Sequence, residues 1–157
     1  MVKSKIFPAK VLAKKISECR KSGKKIVFTN GCFDLIHAGH IYTFQKAKNF
    51  GEILIVAINT DASIKRIKGD KRPIVKEQYR AKLLAALECV DFVTFFSEDT
   101  PLEILKTLKP DILLKGADYK ISEIVGRQYV KKVVRINMVK GISTSLIISK
   151  ILKAYAK

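Results

Sequence analysis

Lys25-Ile26-Val27-Phe28-Thr29-Asn30-Gly31 is a short, apolar and partly β-branched run closed by a turn pair, which predicts a buried strand over 25–29. Behind it, the stretch from His40 to Asn49 carries Ile41, Phe44 and Ala47 at helical spacing. Gly51 then stops the helix before a second apolar run, Ile53-Leu54-Ile55-Val56-Ala57-Ile58. A strand, a helix and a strand thus follow in order. Downstream the alternation continues with a helix around 77–88, a strand around 92–96, a helix over 101–108 and a strand at 112–114. A last strand near 133–136 and a helix from about 143 to 154 close the chain. Upstream, Pro8 through Arg20 places Val11, Leu12, Ile16 and Cys19 on one side of a helical wheel. Each strand is a continuous apolar run, so the sheet is expected to be parallel and covered on both faces, an open α/β sandwich.

At 157 residues the chain fits one domain, read as residues 25–157 with an N-terminal helical segment, 1–24, packed on it. With 48% hydrophobic and 29% charged residues, neither a disordered nor a fibrous chain is expected. The apolar runs fall far short of the roughly 20 residues that cross a bilayer. Nor does an apolar segment follow Met1 to Pro8, so a cytoplasmic protein without a membrane partner is expected. Cys19, Cys32 and Cys89 lie apart, with no Cys-x-x-Cys pair, and read as reduced thiols. The 31 Lys+Arg against 14 Asp+Glu give a net charge of +17, which attracts anions. Nucleic acid, acidic membrane and phosphorylated small molecules all qualify, as does a solvated surface with no partner.

In open α/β sheets ligands bind beyond the carboxyl ends of the strands. Directly after the first strand, Thr29-Asn30-Gly31-Cys32-Phe33-Asp34-Leu35-Ile36-His37-Ala38-Gly39-His40 holds the chain's two histidines, three apart. With His37 at a helix start, His40 falls on the same face about one turn on. Gly39 leaves room for a ligand near the backbone, and the free N–H groups of a helix start favour phosphate. A phosphate site with two imidazole donors follows from this pattern. Two other readings stay open: buried or capping histidines with ordinary hydrogen bonds, and a metal site built from Asp34, His37 and His40. Neither a Gly-x-Gly-x-x-Gly nor a P-loop pattern occurs.

His37-Ala38-Gly39-His40 resembles the His-x-Gly-His signature of the cytidylyltransferase-like nucleotidyltransferases, whose fold is Rossmann-like. Gly141-Ile142-Ser143-Thr144-Ser145 resembles the second signature of the same superfamily, at a helix start and in the correct order. Between them lie Asn59 to Gly69, Arg72-Pro73-Ile74, Arg80, Glu98 to Leu102, Lys109-Pro110-Asp111 and Lys115 to Tyr119. These are similar to heptose 1-phosphate adenylyltransferases. The resemblance runs from Lys25 to Leu152 and, with no kinase segment alongside, implies the stand-alone form. Glycerol-3-phosphate cytidylyltransferases carry Arg-Thr where this chain has Met138-Val139, which argues against that branch. Lys140, Arg135 and Arg80 are the candidates for the cation that replaces this Arg.

The resemblance implies transfer of AMP from ATP, with Mg²⁺ held mainly through nucleotide phosphates, to a sugar phosphate, in a homodimer that does not use nucleic acid. Its implied catalytic residues are His37, His40 and Lys68. The implied nucleotide contacts are Thr29, Asn30, Gly31, Cys32, Phe33 and Gly39, with Gly141, Ser143, Thr144 and Ser145. Asp34, Lys65, Arg80 and Asp118 are the implied sugar-phosphate contacts. Lys65 and Lys68 are expected on a loop after the second strand, Arg80 pointing into the phosphate region, and Asp34 orienting a histidine, reaching the sugar phosphate through Mg²⁺, or capping the helix. The alternatives are a cytidylyltransferase for another phosphorylated alcohol or sugar, and a basic nucleic-acid-binding module.

Overall fold

The structure, a computed structural model, describes residues 4–156, so the first three residues of the N-terminal segment and the last residue of the chain lie outside it. Its elements, in order, are α1 (Ala9–Lys21), β1 (Ile26–Gly31), α2 (Ala38–Ala47), β2 (Ile53–Asn59), α3 (Asp61–Lys68) and α4 (Glu77–Ala86). They are followed by β3 (Phe92–Phe96), α5 (Leu102–Leu108), β4 (Ile112–Gly116), β5 (Lys132–Ile136) and α6 (Thr144–Tyr155). The five strands form one Rossmann-like parallel sheet in the order β3-β2-β1-β4-β5. Strand order reverses between β1 and β4, so a crevice opens there beyond the carboxyl ends.

Side-chain parity along the strands divides the core in two. Val27, Leu54, Val56 and Leu114 face one side and are covered by Phe44 and Ala47 of α2 and Ala81 and Leu84 of α4. Phe28, Ile55 and Leu113 face the other, covered by Leu12 and Ile16 of α1 and Ile104, Leu105 and Leu108 of α5. β2 is buried along its whole length, as expected of a central parallel strand. Before α1, the chain runs beside β3, with the Phe7 N–H donating to the Val93 carbonyl at 3.0 Å. No described helix is long and apolar enough to cross a membrane.

Two local expectations need correction. Residues 61–68, expected as a loop, form α3: the Thr60 hydroxyl accepts the Ser63 N–H at 3.3 Å, and Gly69, at φ 88°, ends the helix. Lys65, Arg66 and Lys68 mask the short apolar face, which buries Ser63 and Ile64. The strands β1 and β4 also run further than their apolar cores, to Gly31 and Gly116. Asn30 and Lys115 therefore stand at the rim of the sheet as strand residues.

Candidate active site

A cleft of about 620 Å³ lies over the ends of β1 and β4. Its walls include residues 29–34, His37 and His40, then Lys68, Asp118 and the stretch Ser143-Thr144-Ser145. These are most of the residues singled out in the sequence, brought together from both ends of the chain. Gly39 sits beneath the wall. A Cβ there would stand 3.1 Å from the His37 ring, which would have to yield by a few tenths of an ångström, and 3.4 Å from the Ile142 methyl, so the two signature segments meet at this glycine. The Thr144 hydroxyl donates to the Leu35 carbonyl at 3.4 Å and ties the same segments together. Ser143 caps α6, its hydroxyl accepting the Leu146 N–H at 3.2 Å.

His37 is the N-cap of α2 and His40 its third residue, an arrangement that stacks the rings with centroids 3.7 Å apart. The His37 backbone N–H donates to Nδ1 of His40 at 3.4 Å. With Nδ1 accepting, the proton of neutral His40 resides on Nε2. Phe33 and Phe44 flank the His40 ring. Burial, joined by the neighbouring His37, pushes His40 down to about 4, and burial also lowers His37. Nδ1 of His37 is buried with no hydrogen-bond partner. It packs against Gly39 and faces the His40 N–H in a capping-box arrangement at the start of α2, so it serves the helix end and not the cleft.

Asp34 and Arg80 take other places than expected. The Asp34 carboxylate, almost wholly buried, accepts from Nε of Arg72 at 2.5 Å and from the N–H groups of Ile74 and Val75 at 2.9 and 2.8 Å. It fastens the 72–75 loop to the end of β1, while His37 is the cap of α2. Arg80 is fully buried and does not line the cleft. Its guanidinium donates to the carbonyls of Val75, Cys32 and Asn59 and to Asp61, at 2.6 to 2.9 Å. It braces the loop behind Cys32 from below.

Lys65 is exposed on α3 and outside the cleft, whereas Lys68, one turn on, lines it. Lys140, Arg135 and Gly141 are also absent from the walls, and Arg135 donates to the Tyr119 carbonyl at 3.2 Å. Two wall cations, Arg72 and Lys115, had no role assigned from sequence. Nζ of Lys115 donates to Oδ1 of Asn30 at 2.6 Å, and burial pulls this amine down to about 8. Its position at the end of β4, inside a stretch that resembles heptose 1-phosphate adenylyltransferases, was the available signal. Burial raises the Cys32 thiol even with Lys68, Arg80 and Arg72 nearby, so Cys32 is no ready nucleophile. Among the described residues no three His, Cys, Asp or Glu side chains are grouped to hold a metal ion, and both Asp34 oxygens are engaged. This donor set does not fit a protein-held metal centre.

Residues 28–150 match the family model described as cytidylyltransferase-like. The bifunctional protein HldE of Citrifermentans bemidjiense is 54% identical over 156 residues, covering 97% of this chain and 32% of that protein. HldE of Helicobacter pylori strain G27 is 54% identical over 147 residues, covering 94% and 31%. The chain thus spans about a third of the length of the curated relatives it matches. A lipopolysaccharide core biosynthesis protein from Thermoplasma volcanium superposes with a TM-score of 0.64 at 31% identity, over 75% of this chain and 100% of its own. A pantoate-beta-alanine ligase from Francisella tularensis superposes with a TM-score of 0.62 at 19% identity, over 94% and 78%, and shares the fold.

Proposed function

Because the chain belongs to the cytidylyltransferase-like family of nucleotidyltransferases, we propose that it transfers the AMP moiety of ATP to D-glycero-D-manno-heptose 1-phosphate, releasing pyrophosphate and ADP-heptose. The observation that carries this reading is the meeting of His37, Gly39 and His40 with Ile142 to Thr144 at one cleft. The resemblance of the middle segments to heptose 1-phosphate adenylyltransferases supports the choice of acceptor, as do the likenesses to HldE and to a lipopolysaccharide core biosynthesis protein.

An oxygen of the sugar phosphate attacks the α-phosphorus in line, and the bond to the bridging oxygen breaks as pyrophosphate leaves. The attacking phosphate is ionised at neutral pH and needs no general base. The barrier is then mostly anion repulsion and charge growing on the bridging oxygen. Nε2–H of neutral His40 donates to that developing charge, and His37, whose Nδ1 is shielded at the start of α2, has its other ring nitrogen, Nε2, for the phosphates. Lys68 supplies positive charge from α3, and the opening of α6 offers hydroxyls and free N–H groups to the outer phosphates. Mg²⁺ enters as part of the MgATP substrate.

A matrix of ATP or CTP against heptose 1-phosphate and glycerol 3-phosphate tests this. Pyrophosphate is expected from ATP with the heptose. Turnover confined to CTP would replace the reading by the cytidylyl one. No turnover, with salt-sensitive binding to DNA, would favour a nucleic-acid module. The homodimer implied by the resemblance is checked by sedimentation of the purified chain.

A further inference from the structure

Lys115 is a cation held inside the cleft with an amide oxygen, not a carboxylate, as its hydrogen-bond partner: Asn30 Oδ1 at 2.6 Å. None of the ion pairs among the described residues includes it. A desolvated ammonium without a counter-charge is a standing cost unless an anion arrives.

Which anion follows from strand parity. Lys115 shares its sheet face with Leu113, and Asn30 shares that face with Phe28. Both side chains therefore leave the strands toward the α1 and α5 layer. The imidazoles stand on the opposite face, above α2, beside the opening of α6. Pyrophosphate held by the imidazoles and α6 would depart on the α2 side, and in-line geometry requires the attacking oxygen to enter from the other. We infer that Lys115 grips the phosphate of the acceptor from the sheet face opposite the two histidines. This rests on the nucleotidyl transfer proposed above and names a contact for its second substrate. In that step the acceptor oxygen forms the new P–O bond, the electron pair of the broken bond leaves with pyrophosphate, and Lys115 keeps its proton.

The charged groups facing the cleft with Lys115 are Asp34, which is paired with Arg72, then Asp99, Asp118, Glu123 and Lys68. Burial moves three neighbouring groups away from about pH 8: it lowers both imidazoles and raises the Cys32 thiol. Steady-state kinetics of the full chain with MgATP and heptose 1-phosphate, between about pH 7 and 9, test the inference. Lys115→Met is expected to raise the acceptor KM about 10- to 100-fold with the ATP KM within about twofold, and Lys115→Arg to restore most of the loss. In the wild type the acceptor KM rises above about pH 8 as the amine loses its proton; Lys115→Arg removes that rise. An unchanged acceptor KM in Lys115→Met, or an equal rise for ATP, overturns the assignment while leaving the proposed reaction standing. If Lys115→Met does not fold, a wild-type acceptor KM flat to pH 9 overturns it. A wild type that releases no pyrophosphate with any sugar phosphate overturns both.

Discussion

The imidazoles of His37 and His40 lie stacked, 3.7 Å between centroids and 23° between planes. Two imidazolium ions could not share that space, and burial disfavours even one. An NMR titration of the ligand-free protein is expected to find His40 neutral down to about pH 4. In the unfolded chain the same ring takes up a proton near 6.5. Folded stability therefore falls as pH drops from about 6.5 toward about 4. A His40 that titrates at or above 6.5 would overturn its part as a neutral donor.

Gly39→Ala adds a methyl 3.1 Å from the His37 ring. The ring must yield by a few tenths of an ångström, while Ala favours the helix. We expect kcat to fall about 10-fold or more through misplacement, with stability changed by less than about 1 kcal/mol. Equal kcat for variant and wild type would mean that the ring position is not critical.

Lys65 and Lys68 are close in sequence but differ in reach, since the cleft includes only the second of them. Lys68→Ala is expected to lower kcat/KM about 10²-fold, and Lys65→Ala by less than about twofold. Comparable losses in the two variants would contradict the placement on α3.

The carboxyl of Asp34 is held below the usual range: burial alone would raise it, but the Val75 and Ile74 N–H groups and Arg72 outweigh burial. Its contribution is present above about pH 4, where the unfolded carboxyl ionises, and is lost as pH falls through the lower folded value. Asp34→Asn should cost about 3 kcal/mol at neutral pH and flatten the acid limb of a denaturation profile. Hydrogen exchange should then speed up at the Ile74 and Val75 amides. Unaltered exchange there would show that the loop is held by other contacts.

Arg80→Met removes donors from three carbonyls and one carboxylate. Urea denaturation should register a loss of about 3 kcal/mol or more. A stable Arg80→Met with selectively raised substrate KM would instead return Arg80 to the phosphates.

The alternation of elements and the order of the two signatures were legible in the chain because parallel strands are apolar runs and helix starts carry recognisable residues. His37, His40 and the Ser143 to Ser145 turn stand in the cleft for that reason. α3 was not legible: eight residues rich in Lys and Arg leave too short an apolar period, and its cap is a lone Thr60. Nor could the fate of the cations be read locally. Lys65, Lys68 and Arg80 lie on helices near strand ends, and Lys115 in the last residues of a strand.

The sequence by itself determined an α/β sheet whose strand-end rim carries the two histidines, since period, turn residues and helix-start chemistry are encoded within a few neighbouring residues. Only the tertiary structure decided which charged groups face the cleft. Asp34 turned to Arg72 and the 72–75 amides, Arg80 went under the Cys32 loop, and Lys115 came to the rim beside Asn30. The physical reason is that a charge is placed by the carbonyls, amides and counter-charges that distant strands bring to it, and local spacing carries no record of those partners.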